Sequence, residues 1–197
     1  YKEASGSVTV SLLSGTSSGA DGIDKLINIE KIRGSNFADS LTGDGGDNFL
    51  RGGLGNDTLD GGAGFDWADY FGAQGSVTVN LTTGTASGGD DTDVLRNIEA
   101  VRGSDYEDSL TGDGGDNWLR GNWGDDTLDG GAGFDWADYY DATSAVTVTL
   151  TNATVAGGAT RGQSTGGDDN VILINIEAIR GSDFDDSLSG NNSDNFI

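Results

Sequence analysis

Along much of this chain an oxygen-bearing residue returns every nine places, with an apolar residue two places after it. The pattern is sharpest where Gly52-Gly53-Leu54-Gly55-Asn56-Asp57-Thr58-Leu59-Asp60 runs straight into Gly61-Gly62-Ala63-Gly64-Phe65-Asp66-Trp67-Ala68-Asp69. Both read G-G-x-G-x-D-x-U-x, with U apolar. Sliding the frame outward by nines recovers degenerate copies with Asn48 and Leu50, Asp39 and Leu41, Glu30 and Ile32, and Asp21 and Ile23 at places six and eight. Unit two repeats the place-six series as Asp90, Glu99, Asp108, Asn117, Asp126 and Asp135, and unit three begins it again as Asp168, Glu177, Asp186 and Asn195. Self-similarity at a fixed period marks a stacked repeat architecture.

A longer period overlies the short one. Gly6-Ser7-Val8-Thr9-Val10-Ser11-Leu12 returns 69 residues later as Gly75-Ser76-Val77-Thr78-Val79-Asn80-Leu81, and after the same step as Ser144-Ala145-Val146-Thr147-Val148-Thr149-Leu150. Asn28-Ile29-Glu30 recurs at 97–99 but then at 175–177, so the third copy carries nine extra residues near 158–166. The units are 1–69, 70–138 and a truncated 139–197, forming one continuous domain. The chain opens on Tyr1 without Met and stops at Ile197 in mid-pattern, which reads as an internal slice of something longer.

Composition decides between a fold and disorder. With 34% apolar residues and a formal net charge of -23, the chain has the balance of a disordered segment, or of a fold that needs counter-ions to compact. The 33 acidic residues comprise 28 Asp and 5 Glu, a skew that favours the carboxylate able to turn back onto its own loop. There is no His, Cys, Met or Pro, so imidazole bases, thiolate nucleophiles, the usual zinc sites and disulfides are excluded. Such a charge excludes nucleic acid as a partner, no stretch is apolar enough to span a membrane, and no signal peptide is visible.

In x-U-x one apolar side chain points inward from a very short strand, and the glycines allow the tight reversal that follows. Nine residues then make half a turn and eighteen a full coil. This predicts an all-β, right-handed parallel β-roll, a β-solenoid of nine-residue half-turns, about eight to a unit, with Ile23, Ile32, Leu41, Leu50, Leu59, Ala68, Val77 and a residue near Ala86 turned inward. Asp21, Asp39 and Asp57 should stack on one edge, and Glu30, Asn48 and Asp66 on the other. Carboxylates stacked about 4.8 Å apart repel unless a cation lies between them. Calcium suits, since it takes six to eight hard oxygens and accepts backbone carbonyls such as those of Gly52, Gly61, Gly121 and Gly130. Same-edge pairs number about ten at most, and ten divalent ions would reduce the -23 to about -3. Sites with Asn48, Asn117 or Asn195 lack a formal charge and should be weaker; Glu30, Glu99 and Glu177 lack flanking glycines and would ligate by a different geometry.

On these residues, above all the consecutive motifs at 52–69 and 121–138, the sequence resembles the RTX, or hemolysin-type calcium-binding, nonapeptide repeat family. The resemblance weakens at 70–83 and 139–167. It implies a secreted, extracellular module at a bacterial cell surface, exported unfolded by type I secretion and folding on calcium outside. The structural reading of such a solenoid is a rigid spacer, and ends without a cap at Tyr1 and Ile197 point to end-to-end self-association or continuation into a longer chain.

Places seven and nine of each repeat point outward. One face gathers Phe49, Arg51, Trp67, Trp118, Arg120 and Trp136, together with Lys31, Arg33, Arg102 and Arg180; the other is small and polar. Arginine beside aromatic rings suits an acidic polysaccharide, and the repeat modules of mannuronan epimerases in this family offer an analogy. The plainer reading stacks Phe49 on Trp67 and Trp118 on Trp136, pairs Arg51 with Asp69 and Arg120 with Asp138, and lays residues 70–76 over the aromatics. Paired carboxylates could serve a retaining glycosidase, but here each pair is generated by the repeat, whereas a catalytic pair should occur once. With neither a His-activated hydroxyl nor a phosphate-binding loop, no enzyme is expected in these residues. An ice-binding column of Ser40, Thr58, Ser109, Thr127 and Ser187 is interrupted by Asp60 and Asp129.

Overall fold

The computed structural model describes residues 1–89, 91–154, 160–166 and 170–197, and these contain strands and no helix. Unit one holds β1 (Val8–Ser11), β2 (Thr16–Gly19), β3 (Gly22–Lys25), β4 (Lys31–Arg33), β5 (Ser40–Thr42), β6 (Phe49–Arg51), β7 (Thr58–Asp60) and β8 (Trp67–Asp69). Unit two repeats them as β9 (Val77–Asn80), β10 (Thr85–Gly88), β11 (Asp91–Arg96), β12 (Ala100–Arg102), β13 (Ser109–Thr111), β14 (Trp118–Arg120), β15 (Thr127–Asp129) and β16 (Trp136–Asp138). Unit three has β17 (Val146–Thr154), β18 (Thr160–Gly166), β19 (Val171–Ile174), β20 (Ala178–Arg180) and β21 (Ser187–Ser189).

From β4 to β8 the chain winds as its sequence dictates. Successive three-residue strands alternate between two sheets and pair in parallel with the strand eighteen residues on, Ile32 beside Leu50 and Leu41 beside Leu59. The middle residue of each turns inward, so Leu41, Leu50, Leu59 and Ala68, like Leu110, Leu119, Leu128 and Ala137, are buried in a single core. Full burial of a leucine contributes about 1.5–3 kcal/mol, which this narrow core collects once per half-turn. The molecule is a β-roll solenoid.

Between the coiled runs lies an arrangement that differs from the expectation. Strands β1–β2–β3, β9–β10–β11 and β17–β18–β19 are antiparallel meanders within one sheet. After β8 the chain crosses to β9, returns through β10, and reaches β11, which pairs in parallel with β7. A unit is therefore not eight half-turns. Ile23 is 82% exposed on β3 rather than inward, and the residue stacked on Asp39 is Val8 rather than Asp21. The reason is the two hairpin turns, which spend on one sheet the residues that a coil would divide between two. The additional residues of unit three lengthen the β17–β18 hairpin, which pairs from Val146–Gly166 out to Thr154–Thr160 with a register shift, so they add no half-turn.

The meanders make one sheet of fourteen strands and leave the other with seven. That sheet, β4 to β20, carries the aromatic and arginine side chains outward.

Candidate metal centre

Place-six residues occupy the two edges of the roll. Along the edge leading into the seven-stranded sheet they form the expected column. The backbone N–H of Asn48 donates to Oδ1 of Asp66 (2.7 Å), that of Asp66 to Oε2 of Glu99 (2.9 Å), that of Asn117 to Oδ1 of Asp135 (2.8 Å) and that of Asp135 to Oε2 of Glu177 (3.1 Å). Glu30 lies one strand before Asn48, and Asn195 one strand after Glu177. On the other edge Asp39 N–H donates to Asp57 Oδ1 (2.7 Å) and Asp57 N–H to Asp93 Oδ1 (2.8 Å). Asp108 N–H donates to Asp126 Oδ1 (2.9 Å), and Asp186 accepts from Val146 N–H (2.9 Å). Asp21 stands apart, exposed and bonded by Ser5 (2.9 Å); Asp90 and Asp168 lie outside the described residues.

Two kinds of carboxylate emerge from these columns. In the coils that open with Gly-Ser, a serine turns back on the acid: Ser35 N–H and Oγ reach Asp39 (2.5 and 2.9 Å), Ser104 does so to Asp108 (2.6 and 2.8 Å) and Ser182 to Asp186 (2.7 and 2.6 Å). Here the protein itself supplies the donors that a carboxylate needs. In the coils opening with two glycines, Asp66 and Asp135 are 0% exposed, and Oδ2 of each is buried without a hydrogen-bond donor. A buried carboxylate oxygen left in that state is costly unless a charge answers it.

Glycine makes room for that answer. A Cβ on Gly61 would collide with the carbonyl oxygen of Asn97 and with Asp66, and one on Gly130 with the carbonyl of Asn175 and with Asp135. The carbonyls of Gly52, Gly61, Gly121 and Gly130 point in turn at the first glycine of the preceding coil, beside the side-chain oxygens of Asp39, Asn48, Asp108 and Asn117. Every donor is a hard oxygen, divided between two coils, which suits calcium. Among the described residues no three acidic side chains converge, so an ion would be held by one or two carboxylates together with backbone carbonyls.

The electrostatics agree. Burial pushes the carboxyl of Asp135 up to about 6, with the Glu177 charge adding to the rise and the Asn117 N–H opposing it. Burial raises Asp66 in the same way, with Glu99 adding and Asn48 N–H opposing. Asp108 is raised by burial despite Val77 and Ser104, whereas Asp186 is lowered: burial again raises it, but the Ser182 and Val146 donors together outweigh it.

Spacing alone missed Asp93, which is 2% exposed and accepts a hydrogen bond from the Tyr70 hydroxyl (3.0 Å). Tyr1 and Asp24 form the same bond in unit one (3.1 Å), so the signal was a Tyr followed 23 residues later by Asp. The Gly-Ser donors and Asn122, which occupies the second glycine place of the coil 121–126, were also missed.

On the seven-stranded sheet Phe49 stacks on Trp67 (5.1 Å, 9°) and Trp118 lies tilted against Trp136 (4.9 Å, 37°), while Ala100 interrupts the ladder and Trp67 meets Trp118 edge-on (6.5 Å, 86°). Arg51 is paired with Asp69, and Arg120 with both Asp138 and Asp141. Around the Ala100 gap a groove of about 540 Å³ is lined by Trp67, Trp118, Tyr140, Lys31, Arg102 and Arg180, among others; Arg51 and Trp136 lie outside it.

The RTX calcium-binding nonapeptide repeat (4 copies) model matches residues 33–68, 102–137 and 176–197. No curated protein matches the chain. The matched segments contain Asp39 to Asp66, Asp108 to Asp135 and Glu177 to Asn195, the residues that line both edges of the roll. Through them the chain carries RTX calcium-binding nonapeptide repeats.

Proposed function

We propose that this calcium-binding repeat module is a segment of a secreted bacterial surface protein, which leaves the cell unfolded and becomes a rigid spacer when calcium binds. The observation that carries this reading is the buried Oδ2 of Asp66 and of Asp135, each without a hydrogen-bond donor and each beside a backbone carbonyl of the next coil. Without metal the two columns repel and the chain stays open; with metal each coil becomes a template for the next. The stack can also extend. Ile29 is 40% exposed at the β3–β4 end, whereas its equivalents between units, Ile98 and Ile176, are 6% and 2% exposed, so a further coil from a longer chain or a second copy would cover it. Limited proteolysis tests the reading. Calcium should protect the chain from a protease that degrades it in chelator, and equal digestion in both conditions would contradict a metal-dependent fold.

A second reading rests on the groove. Lys31, Arg102, Arg120 and Arg180 outnumber Asp47 and Asp141 in its lining, in a chain of net charge -23. A polyuronate, with one carboxylate per sugar along a linear chain, would suit cations repeated near the strand spacing of about 4.8 Å. Polygalacturonate should then change the tryptophan fluorescence of the calcium-loaded protein, and Arg180→Ala should weaken the response. No change with the wild type would leave the ladder a purely structural cover.

A further inference from the structure

The cations that line the groove on the seven-stranded sheet are of two kinds. In its middle they are answered within the protein: Arg102 and Arg120 share Asp141, and Arg120 also holds Asp138. At its ends each cation lies over an aromatic ring instead. Lys31, exposed on β4, makes no ion pair among the described residues, and its Nζ sits 4.8 Å from the centroid of Phe49. Arg180, on β20 with its side chain 39% exposed, comes no nearer than 3.9 Å to Asp138, which Arg120 already holds, and its Cζ lies 4.0 Å from the centroid of Tyr140. A cation over a ring keeps its outer side open to an anion, and the ring beside it offers an apolar face.

Strands β4 and β20 are the outermost of the sheet's seven, so the two pairs stand six strand spacings apart, about 29 Å along the sheet at about 4.8 Å each. Both line the same groove, which runs across the strands with Trp118 between them. We propose that the groove is a two-ended clamp that reads the length of a linear polyuronate. Lys31 takes a carboxylate at one end and Arg180 another at the far end, the sugars between them lie across the strands, and a chain too short to bridge the ends is held by one cation alone. The inference rests on the polyuronate reading above and adds to it the chain length and the two residues that measure it. An extended acidic peptide fits less well, since it repeats its same-face carboxylates about 6.6 Å apart, out of step with the strands.

Titration of the calcium-loaded protein with a galacturonate dimer and an octamer, read by tryptophan fluorescence, tests the clamp. The octamer engages both ends through one chain, so it should bind about a hundredfold more tightly than the dimer. Lys31→Gln and Arg180→Gln keep the stem over its ring and remove the charge; each should bring the octamer close to the affinity of the dimer, with an unchanged far-UV spectrum showing that the roll is intact. A dimer that binds as tightly as the octamer would overturn the proposal, as would an octamer that both variants hold like the wild type, or an oligoglutamate of equal charge that binds equally well. Absence of any response, to polygalacturonate as well as to the octamer, would defeat the polyuronate reading itself and the clamp with it.

Discussion

A carboxylate's role in this molecule is set by what reaches its second oxygen. Serine reaches it in Asp39, Asp108 and Asp186, and no donor reaches it in Asp66 and Asp135. Asp66→Asn and Asp135→Asn keep an acceptor for the neighbouring N–H but remove the charge, so each should raise the calcium midpoint of folding about threefold to tenfold. Asp186→Asn, read by the same circular dichroism titration, should change it less. The raised carboxyl of Asp135 also fixes the sign of a pH effect in chelator. Its ordinary value is 3.8 and its folded value about 6, so the metal-free fold takes up the proton more readily than the open chain does. The stability it contributes is full below 3.8 and is lost as pH rises through about 6. Acidifying the calcium-free protein from about pH 7 to about pH 5 should therefore increase its β content, and a decrease would contradict the burial assigned to Asp66 and Asp135.

Among the elements, the coils were legible in the sequence and the meanders were not. In β5 to β8 the frame names each inward residue correctly because one apolar side chain per nine residues permits one register. In unit one the meander runs from Val8 to Lys25, eighteen residues, the length of one full coil. The nine-residue frame therefore crosses it without losing phase, and Asp21 with Ile23 imitates a half-turn that the hairpins replace. The aromatic ladder and the Arg51–Asp69 and Arg120–Asp138 pairs follow from stacking alone, whereas Asp141 and Tyr140 reach the groove from a loop that no periodicity places. The meander is tied to the coil by Tyr70 and Asp93. Tyr70→Phe removes a donor from a carboxylate 2% exposed and should cost about 1–3 kcal/mol in denaturant unfolding of the calcium-loaded protein. Tyr140→Phe, at a ring 45% exposed, should cost much less.

Taken as a whole, the molecule balances a formal charge of -23 against a core one side chain deep. A chain of 197 residues should have a radius of gyration of roughly 48 Å when unfolded. Small-angle scattering should show a value near that in chelator and a fall to less than about half with calcium, when the coils stack on a common core. The most direct test of the account is a far-UV circular dichroism titration with calcium from micromolar to about 10 mM, beside a control with magnesium, a smaller ion that demands near-octahedral geometry and gives up its water reluctantly. The account predicts a steep transition from coil to β-sheet with calcium and none with magnesium over the same range. A spectrum already β-sheet in chelator at neutral pH, or one that calcium leaves unchanged, would contradict the claim that metal holds the two acidic edges together.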